Sequence, residues 1–160
     1  MIALMPSSSS RGAARRRHVT FRSRRFENKT PGDHFINPRC FGEDLAGWLR
    51  QGLDGSFTPG DVIQEDYGWG FWTRVDEEPY WVYVGVMDES IGEAVAEWMV
   101  GVAYDPGLSL LKRLFGKPNP SRLLALCRGI DALLQRSRDS IENIEWWLEP
   151  HQGTPTPHPE

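Results

Sequence analysis

Residues 61–75 read Asp61-Val62-Ile63-Gln64-Glu65-Asp66-Tyr67-Gly68-Trp69-Gly70-Phe71-Trp72-Thr73-Arg74-Val75, and residues 80–87 read Tyr80-Trp81-Val82-Tyr83-Val84-Gly85-Val86-Met87. In the first run the odd positions read Ile63, Glu65, Tyr67, Trp69, Phe71, Thr73 and Val75, and the even ones Val62, Gln64, Asp66, Gly68, Gly70, Trp72 and Arg74. A period of two over a dozen residues belongs to a strand and not to a helix. The second run is almost wholly β-branched or aromatic, the composition of a pleated, half-buried surface. Asp76, Glu77, Glu78 and Pro79 form a polar connection of hairpin length. The stretch is therefore expected to be one long β-hairpin with a strongly apolar face and a carboxylate pair, Glu65-Asp66, near its entrance.

The flanks add helices and further strands. Residues 41–53 place Phe41, Leu45, Trp48 and Leu49 on one helical stripe, with Glu43 and Asp44 in the first turn, where the helix dipole favours anions. Asn119-Pro120-Ser121 is a helix start, with the cap at Asn119 and Pro120 in the first helical position. That helix is expected to run to about residue 138, with Leu123, Cys127, Ile130 and Leu134 inward. A shorter helix is expected at 108–115, and strands at 18–26, in the second half of 94–104, and at 141–148. The order β-α-β-β-β-α-α-β implies an α+β fold: a mostly antiparallel sheet of about five strands with helices packed on one face. Residues 18–149 form the single expected domain, between a disordered basic head at 1–17 and a disordered Pro-rich tail at 150–160.

Charge is unevenly spread. Residues 1–25 hold seven Arg and no acid, which leaves 11 basic residues against 22 acidic ones in residues 26–160. An acidic body disfavours nucleic acid as the main partner, since phosphate neutralisation drives that binding. Residues 61–97 carry ten acids against Arg74 alone, whereas seven cations lie between Lys112 and Arg138. Such polarity steers a basic partner towards the hairpin side. Two isolated cysteines, Cys40 and Cys127, form no paired motif and suit a reducing cytoplasm. No uncharged apolar run approaches the length needed to span a bilayer.

Few motifs carry chemistry. Gly68-Trp69-Gly70 begins like a phosphate-binding loop, but Thr73 stands where the third Gly belongs, and the segment lies within a strand. His34, Glu65 and Asp66, with Asp33 and Cys40, are the one constellation from which a small metal-dependent hydrolase could be built. The bland alternative makes Asp33 and Asp66 turn residues and His34 a surface loop residue. The aromatic set is larger than one layer of helices can cover, so Trp72, Trp81 or Trp147 is expected to be partly exposed. The competing explanations are a second cover from loop or tail, or a homodimer.

Phe35-Ile36-Asn37-Pro38-Arg39-Cys40-Phe41-Gly42-Glu43-Asp44-Leu45, then Trp48-Leu49 and Glu65-Asp66-Tyr67-Gly68-Trp69, resembles small bacterial α+β proteins of unknown function with a loop-helix-hairpin plan. The resemblance spans the middle third of the chain and implies no activity, cofactor or catalytic residue. Size and acidity are also similar to those of bacterial toxin-immunity proteins, a likeness of class alone. The reading that follows is a non-enzymatic cytoplasmic protein-binding module. Its surface is the acidic, aromatic hairpin, its residues are Glu65, Asp66, Trp72, Glu77 and Trp81, its partner is a basic protein, and it has no cofactor.

Overall fold

The computed structural model describes residues 15–107 and 118–160. Most of the basic head and the helix expected at 108–115 lie outside those residues.

The fold is α+β. Strand β1 (His18–Ser23) is followed by helix α1 (Glu43–Leu53), then β2 (Thr58–Pro59), β3 (Ile63–Glu65), β4 (Gly68–Val75), β5 (Glu78–Val86) and β6 (Ala96–Tyr104). Helix α2 (Pro120–Arg136) and strand β7 (Ile141–Trp147) follow among the described residues. Every strand pair is antiparallel. The sheet runs β2-β4-β5-β6-β1-β7, and β3 also pairs with β4, so β2 and β3 share one edge.

The sheet thus has seven strands where about five were expected: the two additional ones are β2, just before the quoted stretch, and β3, inside it. The run 61–75 is not one strand. Glu65 pairs with Gly68 and Ile63 with Gly70, so the chain reverses at Asp66-Tyr67. The reversal exchanges the faces: Ile63 and Glu65 share a side with Gly68 and Gly70, not with Trp69 and Phe71. The alternation continues through the turn and hides it. The second reversal falls where the polar connection predicts it. Val75 pairs with Glu78, and Asp76 takes a φ of 53°, the left-handed conformation that primed hairpin turns need at their first central residue.

Helices α1 and α2 pack together on the face of the sheet whose in-register residues are buried. That face is built from Trp69, Phe71 and Val75 of β4, Tyr80, Val82 and Val84 of β5, Trp98, Val100 and Val102 of β6, Val19 and Phe21 of β1, and Trp146 of β7, all buried. Leu45 and Leu49 of α1 and Leu126, Ile130 and Leu134 of α2 close it from above. The Asn119 side chain accepts from the Ser121 amide at 2.9 Å, the cap the sequence indicates.

Residues 150–160, expected to be disordered, run back along β7. Thr156 exchanges both backbone hydrogen bonds with Trp146, at 2.8 and 3.0 Å. His158 Nδ1 donates to Asp131 at 2.8 Å, and Pro159 is buried. The prolines at 155 and 157 lack an N–H, but Thr156 between them supplies the one that pairs.

Candidate functional site

The face of the sheet turned away from α1 and α2, which carries no helix among the described residues and is called the helix-free face, holds the unusual chemistry. It alternates glycine with large rings. By register, β4 contributes Gly68, Gly70 and Trp72, β5 contributes Trp81, Tyr83 and Gly85, and β6 contributes Met99, Gly101 and Ala103. At two places the glycine is needed by a neighbouring ring. A Cβ on Gly70 would lie 2.7 Å from Trp81 Cζ2, and one on Gly101 would collide with the Tyr83 ring. The rings therefore lie down across the glycines instead of standing off the sheet. Trp81 is 7% exposed for this reason, packed at a tilt against Trp72 with ring centroids 5.0 Å apart.

Having crossed Gly101, Tyr83 reaches β1. Its hydroxyl lies 2.7 Å from His18 Nε2, and His18 Nδ1 lies 3.0 Å from the Leu148 carbonyl. A carbonyl only accepts, so Nδ1 carries the proton. Nε2 of the neutral ring then accepts from the tyrosine hydroxyl. Burial pushes the His18 pKa below its ordinary value, and Arg17 adds to the effect against the pull of the Leu148 carbonyl and Glu149. Burial likewise raises the Tyr83 phenol. Both shifts keep the pair neutral. Beside it, Trp147 Nε1 donates to the Thr20 hydroxyl at 2.9 Å, and His151 covers the Trp147 ring. Trp147, like Trp81, is thus buried at 7% exposure although it lies on the helix-free face.

Between Tyr67, Trp81, Tyr83, Met87 and Met99, over Gly85, lies an apolar hollow of about 500 Å³. None of the described residues that line it is charged. Near it on the same face, Ile63, Tyr67 and Trp72 are 37, 68 and 40% exposed.

The sequence-selected residues are distributed over this hairpin and do not form one cluster. Glu65 and Asp66 sit at the β3–β4 turn and Glu77 at the β4–β5 turn, at opposite ends of β4, roughly 25 Å apart at the rise of a strand. Trp72 and Trp81 lie between them as a cross-strand pair. Glu65 and Asp66 form no ion pair among the described residues, whereas Glu77 lies 3.9 Å from Arg74. The neighbouring acids of the turn are engaged. Arg122 of α2 binds Asp76 and Glu78 at 2.8 Å each. Burial would raise the Glu78 pKa, but hydrogen bonds from Tyr80 and Arg122 outweigh it and hold the carboxyl below its ordinary value. Most of the acidic turn is therefore a clasp between hairpin and helix.

The metal constellation is differently arranged from its expectation. His34 Nε2 donates to Glu43 at 2.8 Å, at the start of α1. The loop does reach the β3–β4 turn, but through the backbone: Asn37 Nδ2 and Cys40 Sγ both approach the Asp66 carbonyl, at 3.1 and 3.6 Å. Among the described residues no three His, Cys, Asp or Glu side chains gather as a metal site. Burial raises the Cys40 thiol and pushes Cys127 up to about 12, so neither is an activated nucleophile.

His18, Tyr83 and Gly85 were not singled out from the sequence. Gly85 carried a local signal, a glycine between Val84 and Val86 in an otherwise β-branched and aromatic strand. The His18–Tyr83 pair had none, since the two residues are 65 positions apart. Compared with family models, with curated proteins and with solved structures, the chain matches none.

Proposed function

We propose that this chain is a non-enzymatic cytoplasmic binding module whose partner is a basic protein, docked on the helix-free face of the sheet around the β4–β5 hairpin. The observation that carries this reading is the exposure of Ile63, Tyr67 and Trp72 together on that face. Burying such side chains against a partner is favourable, and exposed aromatics are the residue types that dominate interface energetics. Glu65 shares the face by register, and Asp61 and Asp66 stand at its border, all exposed. The cations Arg128 and Arg136 are exposed on α2, across the sheet. The complementary surface is thus apolar at its centre and basic at its rim. An immunity-like inhibitor that masks a basic toxin or nuclease is one form of such a module.

No helix among the described residues is long and apolar enough to cross a membrane. The hydrolase alternative requires His34 to work with Glu65 and Asp66, and the His34–Glu43 bond supports a structural role for that histidine.

The test is affinity capture run in parallel with wild type and Trp72→Ala/Tyr67→Ser. The reading predicts a basic protein held by the wild type, released by added salt, and lost to the double variant while its thermal transition stays in place. A captured protein that is acidic, or one retained equally by the variant, would overturn it. A second copy of this chain as the occupant would show as a dimer in sedimentation and would equally contradict it.

A further inference from the structure

We infer that the hollow over Gly85 is a small-molecule site that takes an uncharged, ring-bearing, predominantly apolar ligand. The inference goes beyond the protein-binding reading, with which it shares Tyr67, and variants at other positions separate the two.

The argument starts from the glycines. Glycine weakens a strand, so one in mid-strand needs a reason. Gly70 and Gly101 have theirs within the molecule, because Trp81 and Tyr83 occupy the space a Cβ would take. Gly85 is different. A Cβ built there meets no atom of the described residues within 4 Å, and its φ is not in the left-handed range. Neither packing nor backbone conformation calls for glycine at this position. It leaves the floor of the hollow low, between Met99, its partner on β6, and the Tyr67 ring.

The walls define the occupant. A volume of about 500 Å³ lies within the range of small-molecule sites and well above that of a water or an inorganic ion. Tyr67, Trp81 and Tyr83 offer ring surfaces, and Met87 and Met99 offer polarisable thioethers that pack well on rings. Two walls are fixed in advance: Tyr83 by its bond to His18, and Trp81 by Gly70 beneath it and Trp72 beside it. Rigid walls reduce the ordering cost of binding. The surrounding residues 61–97 carry ten acids and one cation, yet no charged side chain of the described residues enters the hollow. An anionic ligand would be repelled at the rim, and a cation would find no counter-charge inside.

N-phenylnaphthylamine, neutral and fluorescent in apolar surroundings, is the probe. Titrated into the full chain, it should give a saturable one-to-one rise in emission with quenching of tryptophan. Anilinonaphthalene sulfonate, the anionic counterpart, should bind about tenfold more weakly or worse. Gly85→Leu fills the hollow with a side chain that strands accept, and should weaken the neutral probe by about tenfold or more with the thermal midpoint unchanged or raised. Ile63→Ser, on the docking surface but not in the wall of the hollow, should retain the probe, which separates this site from the protein-docking surface. Absence of saturable binding, or equal binding by Gly85→Leu, would overturn the inference. So would a marked fall in the thermal midpoint of Gly85→Leu, since it would mean that the chain itself fills the space.

Discussion

The Tyr83 hydroxyl donates to His18 Nε2 at 2.7 Å across Gly101, tying the central strand β5 to β1 over the intervening β6. The bond exists because position 101 has no side chain. Gly101→Ala should displace the Tyr83 ring and cost about 1–3 kcal/mol in urea unfolding, the usual range for overpacking a fitted site. In a Tyr83→Ala background the same substitution should cost clearly less, and a double-mutant cycle measures the difference.

The same pair makes stability depend on pH. His18 has a folded pKa below its ordinary 6.5, so as pH falls the unfolded chain takes up this proton first. From 6.5 down to the folded value the unfolded state binds more protons, and stability is lost on acidification with a slope of at most about 1.4 kcal/mol per pH unit within that window. Above 6.5 the histidine is neutral in both states and contributes no slope. Unfolding free energies of wild type and His18→Gln between pH 5 and 8 should diverge in slope only on the acidic side.

Glu78 acts as a clasp. It accepts from the Tyr80 hydroxyl at 2.6 Å, and Tyr80 is fully buried. Glu78→Ala should destabilise by about 1–3 kcal/mol, because a buried hydroxyl loses its acceptor. Tyr80→Phe in that background should recover part of the loss in chemical denaturation. The carboxyl's lowered pKa has the opposite side of the ledger from a raised one: its contribution is present above the ordinary 4.5 and disappears as pH falls through the folded value.

Asp131 of α2 is buried and accepts from Trp146 Nε1 at 2.9 Å while also holding His158. Asp131→Ala strands the indole N–H and should cost about 1–3 kcal/mol. His158→Ala should leave global stability nearly unchanged but speed amide exchange at Thr156, which is read directly by hydrogen–deuterium exchange.

The sequence made α1, α2 and most strands legible, because each buries one face and so repeats its apolar residues at a fixed period. Leu45 and Leu49 mark α1, Asn119-Pro120 marks the start of α2, and Ile144 and Trp146 mark β7. The reversal at Asp66-Tyr67 was hidden for two reasons. The turn centre has no glycine or proline, and Gly68 beyond it keeps the alternation going. The carboxylates of the turn looked alike in sequence, yet Arg122, 44 residues beyond Glu78, neutralises two of them and leaves Glu77 to Arg74. Of Trp72, Trp81 and Trp147, among which partial exposure was expected, Trp72 is partly exposed, whereas Trp81 is buried with its ring over Gly70. The Arg122 clasp rests on a pairing between residues distant in sequence, and the reversal and the burial of Trp81 on which residues face each other across a hairpin; local periodicity encodes neither.

The central claim is that the working surface is the helix-free face of the sheet. Amide and indole chemical-shift mapping with the captured basic partner tests it most directly. The account predicts perturbations at Ile63, Glu65, Tyr67 and Trp72, with Arg128 and Arg136 of α2 unaffected. Perturbations confined to the outer surface of α1 and α2, with the Trp72 indole unmoved, would contradict it.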